Sequence, residues 1–394
     1  MIFNKTKWKQ SKLIDVCEID PSNKEIAEIP KDTVVSFAEM ADLNIGKATF
    51  NYSQTNKISV LKKGGLSYFK DNDVLLAKMT PCFENGKSGL AKECTNGIGF
   101  GSTEFFVLRG IKIVPYLLYS IISSDCFIDS GKLMMIGTTG RKRLMKDFVI
   151  NYQISLPPLE EQKQIAALFQ SIETAIEQVD GQEKKLKLLQ QKLCNNLVSK
   201  TPTFGNLLSS KNCTSCTFDV IADCIEKHDK KPMENGVTRF VGLEFIEAGN
   251  FNLHGFGEIE KGTTFTKCFS KGDVLFGKRR AYLKKVAVAD FDGICSGDIL
   301  VLRANKSKML ADLLPYYVAS DAFINQAVTT SAGSLSPRTK WRDLAVLEIA
   351  IPELKTQNVI VGIFQQLRQT QEQLNQQKTT LQNLKQKLLS DILG

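Results

Sequence analysis

The phrase LPPLEEQKQIAALF at residues 156–169 returns as IPELKTQNVIVGIF at residues 351–364, and the match continues without a gap to the end of the chain. Pro157 falls on Pro352, Leu159 on Leu354, Gln162 on Gln357, Ile165 on Ile360 and Phe169 on Phe364. Apolar residues then recur three and four apart at Ile165, Leu168, Ile172, Ala175, Val179, Leu186, Leu189 and Leu193. The second copy carries Ile360, Ile363, Leu367, Leu374, Leu381, Leu384 and Leu388, with Gln, Lys and Glu between them. That is a heptad seam over several turns, which predicts two long helices whose apolar edges pair. Each begins beside a proline, which costs little where the first N–H has no helical partner. Gln182 and Gln377 interrupt both seams at the same place, as a register-fixing residue does. At ~1.5 Å per residue, roughly 35–40 residues make a rod of about 50–60 Å, long and narrow enough for a spacer.

The segments ahead of the two helices also match, more loosely. FKDNDVLLAK (69–78) resembles FSKGDVLFGK (269–278), STEFFVLR (102–109) resembles SGDILVLR (296–303), and GTTGRKRL (137–144) stands where GSLSPRTKW (333–341) stands. DVLLAK, FFVLR, ILVLR and VLEIAIP have the β-branched, apolar character of strands. Each helix therefore follows a globular domain of mixed short strands and helices, and the polar stretch 199–215 links the first unit to the second. The scaffold is common to both domains, whereas the loops TPCFENGKSGL and RRAYLKKVAV share little. Shared scaffolds with divergent loops suit two readers of different short sequences.

Composition narrows the class. At 394 residues, with 43% hydrophobic and 24% charged residues, the chain can bury two or three ordinary cores. MIFNKTKWKQ has no apolar signal region and no apolar run approaches membrane-spanning length, so a cytoplasmic protein is expected. The ten cysteines sit mostly in apolar contexts, such as Cys126 and Cys295, and read as free thiols in a reducing compartment. The net charge of +9 is compatible with a polyanion, and it concentrates in GRKRLMK (140–146) and GKRRAYLKK (277–285).

Catalytic signals are weak. LPPL at 156–159 lacks the polar first and aromatic last residue of the tetrad used by amine methyltransferases, and no phosphate-binding G-x-x-x-x-G-K-[ST] loop occurs. GIGFGSTE (97–104) leads into a strand and reads as a turn rather than a phosphate cradle. His228 and His254 stand outside any triad-like setting. Cys213, Cys216, Cys224 and His228 have zinc-like spacing. LIDV (13–16) aligned on IADC (221–224), however, makes Cys224 the substitute for a core valine, and no metal is expected.

In this order of domain, helix, domain and helix, and in the phrases ISLPPLEEQKQIAALF, IAIPELKTQNVIVGIF, GDVL and VLR, the whole chain resembles the specificity (S) subunit of type I restriction-modification systems. The resemblance implies an α+β chain of two mixed α/β target-recognition domains, 1–155 and 201–350. A central long helix (156–200) and a C-terminal one (351–394) would form an antiparallel coiled coil with pseudo-two-fold symmetry. It implies a non-catalytic subunit that reads both halves of a bipartite, asymmetric site on double-stranded DNA. The helices would measure the unread gap, which a flexible linker could not do. The subunit would dock two methyltransferase (M) subunits and, through them, restriction (R) subunits. No cofactor is expected on this chain; S-adenosylmethionine, ATP and Mg belong to the partners. Two other readings stay open: the separate recognition subunit of a type II-like fused methyltransferase-nuclease, and a coiled-coil scaffold that binds proteins.

Lys and Arg supply phosphate affinity, and a few side chains at base edges supply specificity. The candidates are Lys78, Thr80, Arg141, Lys142 and Arg143 in the first domain, and Lys278, Arg279, Arg280, Tyr282, Arg338 and Lys340 in the second. All lie in loops after strand-like phrases or in the Gly-bearing loop ahead of each domain's last strand. Phe169 and Phe364 could face the M subunits, but packing at the helix seam is the favoured reading.

Overall fold

The structure is a computed structural model that describes every residue except 1, 2, 4, 63, 64, 139, 200, 201, 205, 206, 209–211 and 394. Much of the polar linker expected at 199–215 therefore lies outside the described residues. The chain forms two compact units, Met1–Asp180 with Gln376–Gly394, and Gly181–Asn375. Each unit thus contains part of both long helices, Leu159–Leu197 and Leu354–Leu393.

In the first unit, one four-stranded antiparallel sheet runs in the order Cys17–Ile19, Phe105–Gly110, Val74–Ala77 and Ser88–Leu90. A second runs Gln54–Lys57, Val34–Ala38, Ile98–Gly101 and Ser67–Lys70, with its middle pair parallel. The second unit repeats this order in Ala222–Cys224, Ile299–Ala304, Val274–Gly277 and Val286–Val288. Its other sheet is Gly257–Glu258, Arg239–Val241, Gly293–Cys295 and Lys267–Phe269, again with a parallel middle pair. The apolar strands DVLLAK and ILVLR are central in their sheets because both of their faces are covered.

Two repeated phrases prove to be pins within each sheet. Arg109 Nε and Nη2 donate to the two carboxylate oxygens of buried Asp73 at 2.8 and 2.7 Å. Arg303 binds buried Asp273 in the same bidentate way, at 2.7 Å for both bonds. The recurring DVL and VLR are therefore strand-to-strand clasps, since a buried carboxylate needs its charge and lone pairs satisfied. Gly99 is required for a related reason: a Cβ there would drive into the Phe69 ring, as one at Gly293 would into Phe269. The GIGFG run is accordingly a turn ending at Gly97 and a strand from Ile98.

Each long helix starts at a strand end and is locked there by a buried glutamine. Gln162 Oε1 accepts from the Val114 N–H at 2.9 Å, while Nε2 donates to Lys112 O and Pro157 O. Gln357 repeats all three bonds with Leu310 N–H, Lys308 O and Pro352 O.

Within each unit the two helix segments pack antiparallel. In the first, Ile165, Ala166 and Phe169 share a core with Leu389 and Ile392. Beyond them the buried Glu173 carboxylate pairs with the buried Lys385 ammonium, and Asp180 pairs with Lys378 at 2.7 Å. In the second, Cys194, Leu197 and Val198 share a core with Ile360, Val361 and Phe364.

The expected seam needs correction at two places. Ile165, Ile172, Val179 and Ile360 are buried, and Leu168, Leu186, Leu193, Ile363, Leu367, Leu374, Leu381 and Leu388 are half-buried. Leu189 and Leu384, however, are 46% and 43% exposed. A helix of 3.6 residues per turn drifts from a strict heptad, so the buried line moves to Cys194–Leu197–Val198 and to Lys385–Leu389–Ile392. Gln182 and Gln377 face solvent; of the two charge pairs between the helices in the first unit, Glu173 with Lys385 is the buried one.

Three smaller differences concern the thiols. Strand pairing places Ile19 opposite Leu108 and Cys224 opposite Leu302, so Cys224 corresponds to Ile19 rather than to Val16. Cys126 is exposed, not apolar in setting, whereas Cys17, Cys94, Cys194 and Cys295 are buried. Cys213 and Cys216 lie half-buried on the strand Cys213–Thr217, and His228 bonds Thr266. Among the described residues no His, Cys, Asp and Glu group has metal-holding geometry.

Candidate nucleic-acid interface

In both units a lysine directly follows a central strand, and the chain then makes a loop stitched to a second loop from far along the sequence. In the first unit Lys78 N–H donates to Glu104 O at 2.9 Å, and Thr80 N–H donates to Lys142 O at 3.0 Å. Leu144 N–H returns to Lys78 O at 2.8 Å. In the second, Lys278 N–H donates to Asp298 O at 2.9 Å, and Arg280 N–H donates to Pro337 O at 2.8 Å. Thr339 N–H returns to Lys278 O at 3.2 Å. The structure thereby brings the two candidate stretches of each domain into one ridge, Lys78–Thr80 with Arg141–Arg143 and Lys278–Tyr282 with Arg338–Lys340, although some 60 residues of chain part them, as in the Arg279–Ser336 bond.

The side chains within the ridges differ in freedom. The Lys78 ammonium lies 4.6 Å over the Phe106 ring and donates to Thr103 O at 3.1 Å. Burial lowers its pKa from the ordinary lysine value, which marks it as partly a structural cation. Thr80 is half-buried, and its hydroxyl has no partner among the described residues. Arg141 and Arg143 are exposed and Lys142 is half-buried. Arg143 is held by the Glu104 carboxylate.

In the second unit Arg338 Nε donates to Asp298 Oδ1 at 2.6 Å, and Arg279 reaches the same carboxylate at 3.4 Å. The Arg338 bond, against the opposing effect of burial, holds the Asp298 carboxyl below the usual aspartate value. Arg280 is exposed at left-handed φ 52°, Tyr282 is 55% exposed, Lys278 is half-buried and Lys340 is exposed.

Sequence reasoning missed the acids. Glu104 and Asp298 each hold an arginine whose side chain stays exposed. The available signal was the shared spacing of STE and SGD, in which the Ser102 and Ser296 hydroxyls each cap the acid's N–H at 3.2 Å. Leu335, 88% exposed within the second ridge, was missed as well. A preorganised ridge of guanidinium and ammonium groups suits phosphate and base-edge acceptors, because little side-chain freedom is left to lose on binding.

Comparison with known proteins agrees with this architecture. The chain is 32% identical over 188 residues to the type I restriction enzyme EcoEI specificity subunit of Escherichia coli, covering 47% of this chain and 32% of that protein. It is 31% identical over 210 residues to the EcoAI specificity subunit of the same organism, covering 52% of this chain and 33% of the relative. The matches thus span about a third of the length of these curated relatives. A chain from a solved type I R-M system assembly superposes with a TM-score of 0.63 at 18% identity, covering 98% of this chain and 97% of that one, which is a likeness of fold. Residues 5–188 and 223–383 each match the family described as type I restriction modification DNA specificity domain, and the chain belongs to that family.

Proposed function

We propose that this chain is the DNA-reading subunit of a type I restriction-modification complex, each unit binding one half of a bipartite, asymmetric site on double-stranded DNA. The observation that carries the reading is the repeated ridge. Two domains build the same stitched loop pair around a carboxylate-held arginine, yet fill it with different side chains. A common frame gives common phosphate docking, and different side chains give different half-sites. In this reading the long helices set the unread gap and carry the docking surfaces for two methyltransferase subunits. Restriction subunits join through those. The chain itself is non-catalytic and cytoplasmic; S-adenosylmethionine, ATP and Mg are held by its partners.

The test is a map of N6-methyladenine in a methylation-free bacterial host that expresses the chain with its neighbouring methyltransferase. A split motif that appears only when the chain is present is the expected result. Unchanged methylation despite co-purification of the two proteins would put the DNA-reading function in doubt and favour the scaffold reading.

A further inference from the structure

The ridge of the second unit carries an apolar tip that phosphate contacts do not explain. Leu335 is 88% exposed in the loop between Ala332 and Arg338. That loop is closed by two backbone bonds, Ala332 N–H to Arg338 O and Arg338 N–H to Ala332 O, both 3.0 Å. Gly333 takes φ +112° within it, a conformation that side chains rarely adopt. Two guanidinium groups grip the tip itself: Arg280 Nη2 reaches Leu335 O at 3.5 Å, and Arg279 Nη2 donates to Ser336 Oγ at 3.1 Å. Arg280 does so from a left-handed backbone, a strained state that costs stability and survives where the surroundings impose it. A leucine held rigidly in water among cations gains nothing for the fold. It does gain if a polyanion with an apolar interior seats on it.

We propose that Leu335 is a wedge that enters between stacked base pairs, or against a base face, in the half-site bound by the second unit. Arg279 and Arg280 hold the phosphates on either side of it. This rests on the DNA-reading function proposed above. Apolar wedges partly unstack a step and let the duplex bend onto more protein surface, and the arginine belt supplies the complementary charge. The cationic surround favours duplex over a protein face. The first unit builds the equivalent loop differently: Ile136 pairs with Arg143 there, Ile136 is 64% exposed and Gly140 takes φ +81°. The wedge is therefore assigned to the second unit's half-site alone.

The experiment uses the intact complex with its methyltransferase and a duplex bearing the motif found by methylation mapping. 2-Aminopurine replaces single bases along both half-sites, at positions other than the methylated adenines. The expected result is a several-fold rise in fluorescence at one step in the second unit's half-site. Leu335→Ala and Leu335→Ser abolish the rise and weaken binding about tenfold to a hundredfold, the worth of one buried leucine side chain, while Leu335→Phe retains the signal. An unchanged signal in Leu335→Ala overturns the wedge. Loss of the methyltransferase from purified Leu335→Ala also overturns it, by assigning the tip to protein docking. If the wild-type complex binds no duplex, the DNA-reading function fails first and the wedge with it.

Discussion

Where the first long helix meets residues 376–394, Glu173 and Lys385 bury a charge pair. Glu173 also accepts from the Ala48 N–H at 3.1 Å, and the Lys385 ammonium stands 5.9 Å over the Tyr119 ring. The corresponding turn of the second unit brings Gln190 and Arg368 to the same place. There the helices leave a cavity of about 340 Å³, and Phe364 stacks on Tyr316 at 3.7 Å instead. A buried ion pair is weak support for stability but strong support for register, because any slip strands one charge. A ring stack is the reverse: stabilising, and tolerant of small shifts. The first unit fixes its two helix segments to each other with a charge pair, whereas the second seats its helix on Tyr316 of the short helix Leu314–Val318.

Removing a single charge breaks the comparison most sharply. Lys385→Met leaves Glu173 buried and unpaired and is expected to cost about 3–5 kcal/mol. Gln190→Met, its counterpart, should stay within about 0.5 kcal/mol. Urea unfolding of both variants checks this, and the double change Glu173→Leu with Lys385→Leu should recover most of the loss.

A smaller contrast lies in the loops that follow the two central strands. Lys87 O and Lys285 O accept from equivalent strand ends, so Gly86 at φ +72° stands where Lys284 stands at φ +50°. A Cβ at Gly86 meets nothing within 4 Å, so Gly86→Ala costs only its backbone strain, about 1–2 kcal/mol. Phe364→Leu keeps the apolar seat but loses the stack, worth about 1 kcal/mol.

The last difference is in pH response. Burial raises the Glu25 carboxyl, but bonds from Lys70, Arg109 and Tyr68 more than offset it and bring the pKa down to about 2. A depressed carboxylate adds stability above its unfolded value of ~4.3 and loses it as pH falls toward the folded value. Arg303, the counterpart of Arg109, bonds Asp273 without a second acid among the described residues. Hydrogen exchange should therefore show the strand Phe105–Gly110 opening more than Ile299–Ala304 between pH 4.5 and about 2. Equal opening would remove Glu25 from the account.

The repeat, the helices and the strands were legible because period and proline position are local properties. The two candidate stretches of each domain could be named but not joined, since backbone bonds such as Thr80 N–H to Lys142 O span distant chain. Pairing of arginines with Glu104 and Asp298 was hidden for the same reason. Leu189 and Leu384 were misplaced because periodicity marks a stripe without saying which edge is covered. Cys224 slipped by three positions because a short helix and strand carry too few apolar residues to fix an alignment.

Residues 376–394 complete a unit that begins at the other end of the chain. During synthesis at ~5–20 residues per second, the first unit waits on the order of ten seconds or more while the whole second unit is made. Its helix face stays uncovered through that interval, and the Glu173 carboxylate in the apolar stripe is without Lys385 until the last helix is made. The second unit meets no such delay, and its apolar seat can close as soon as its own helix emerges.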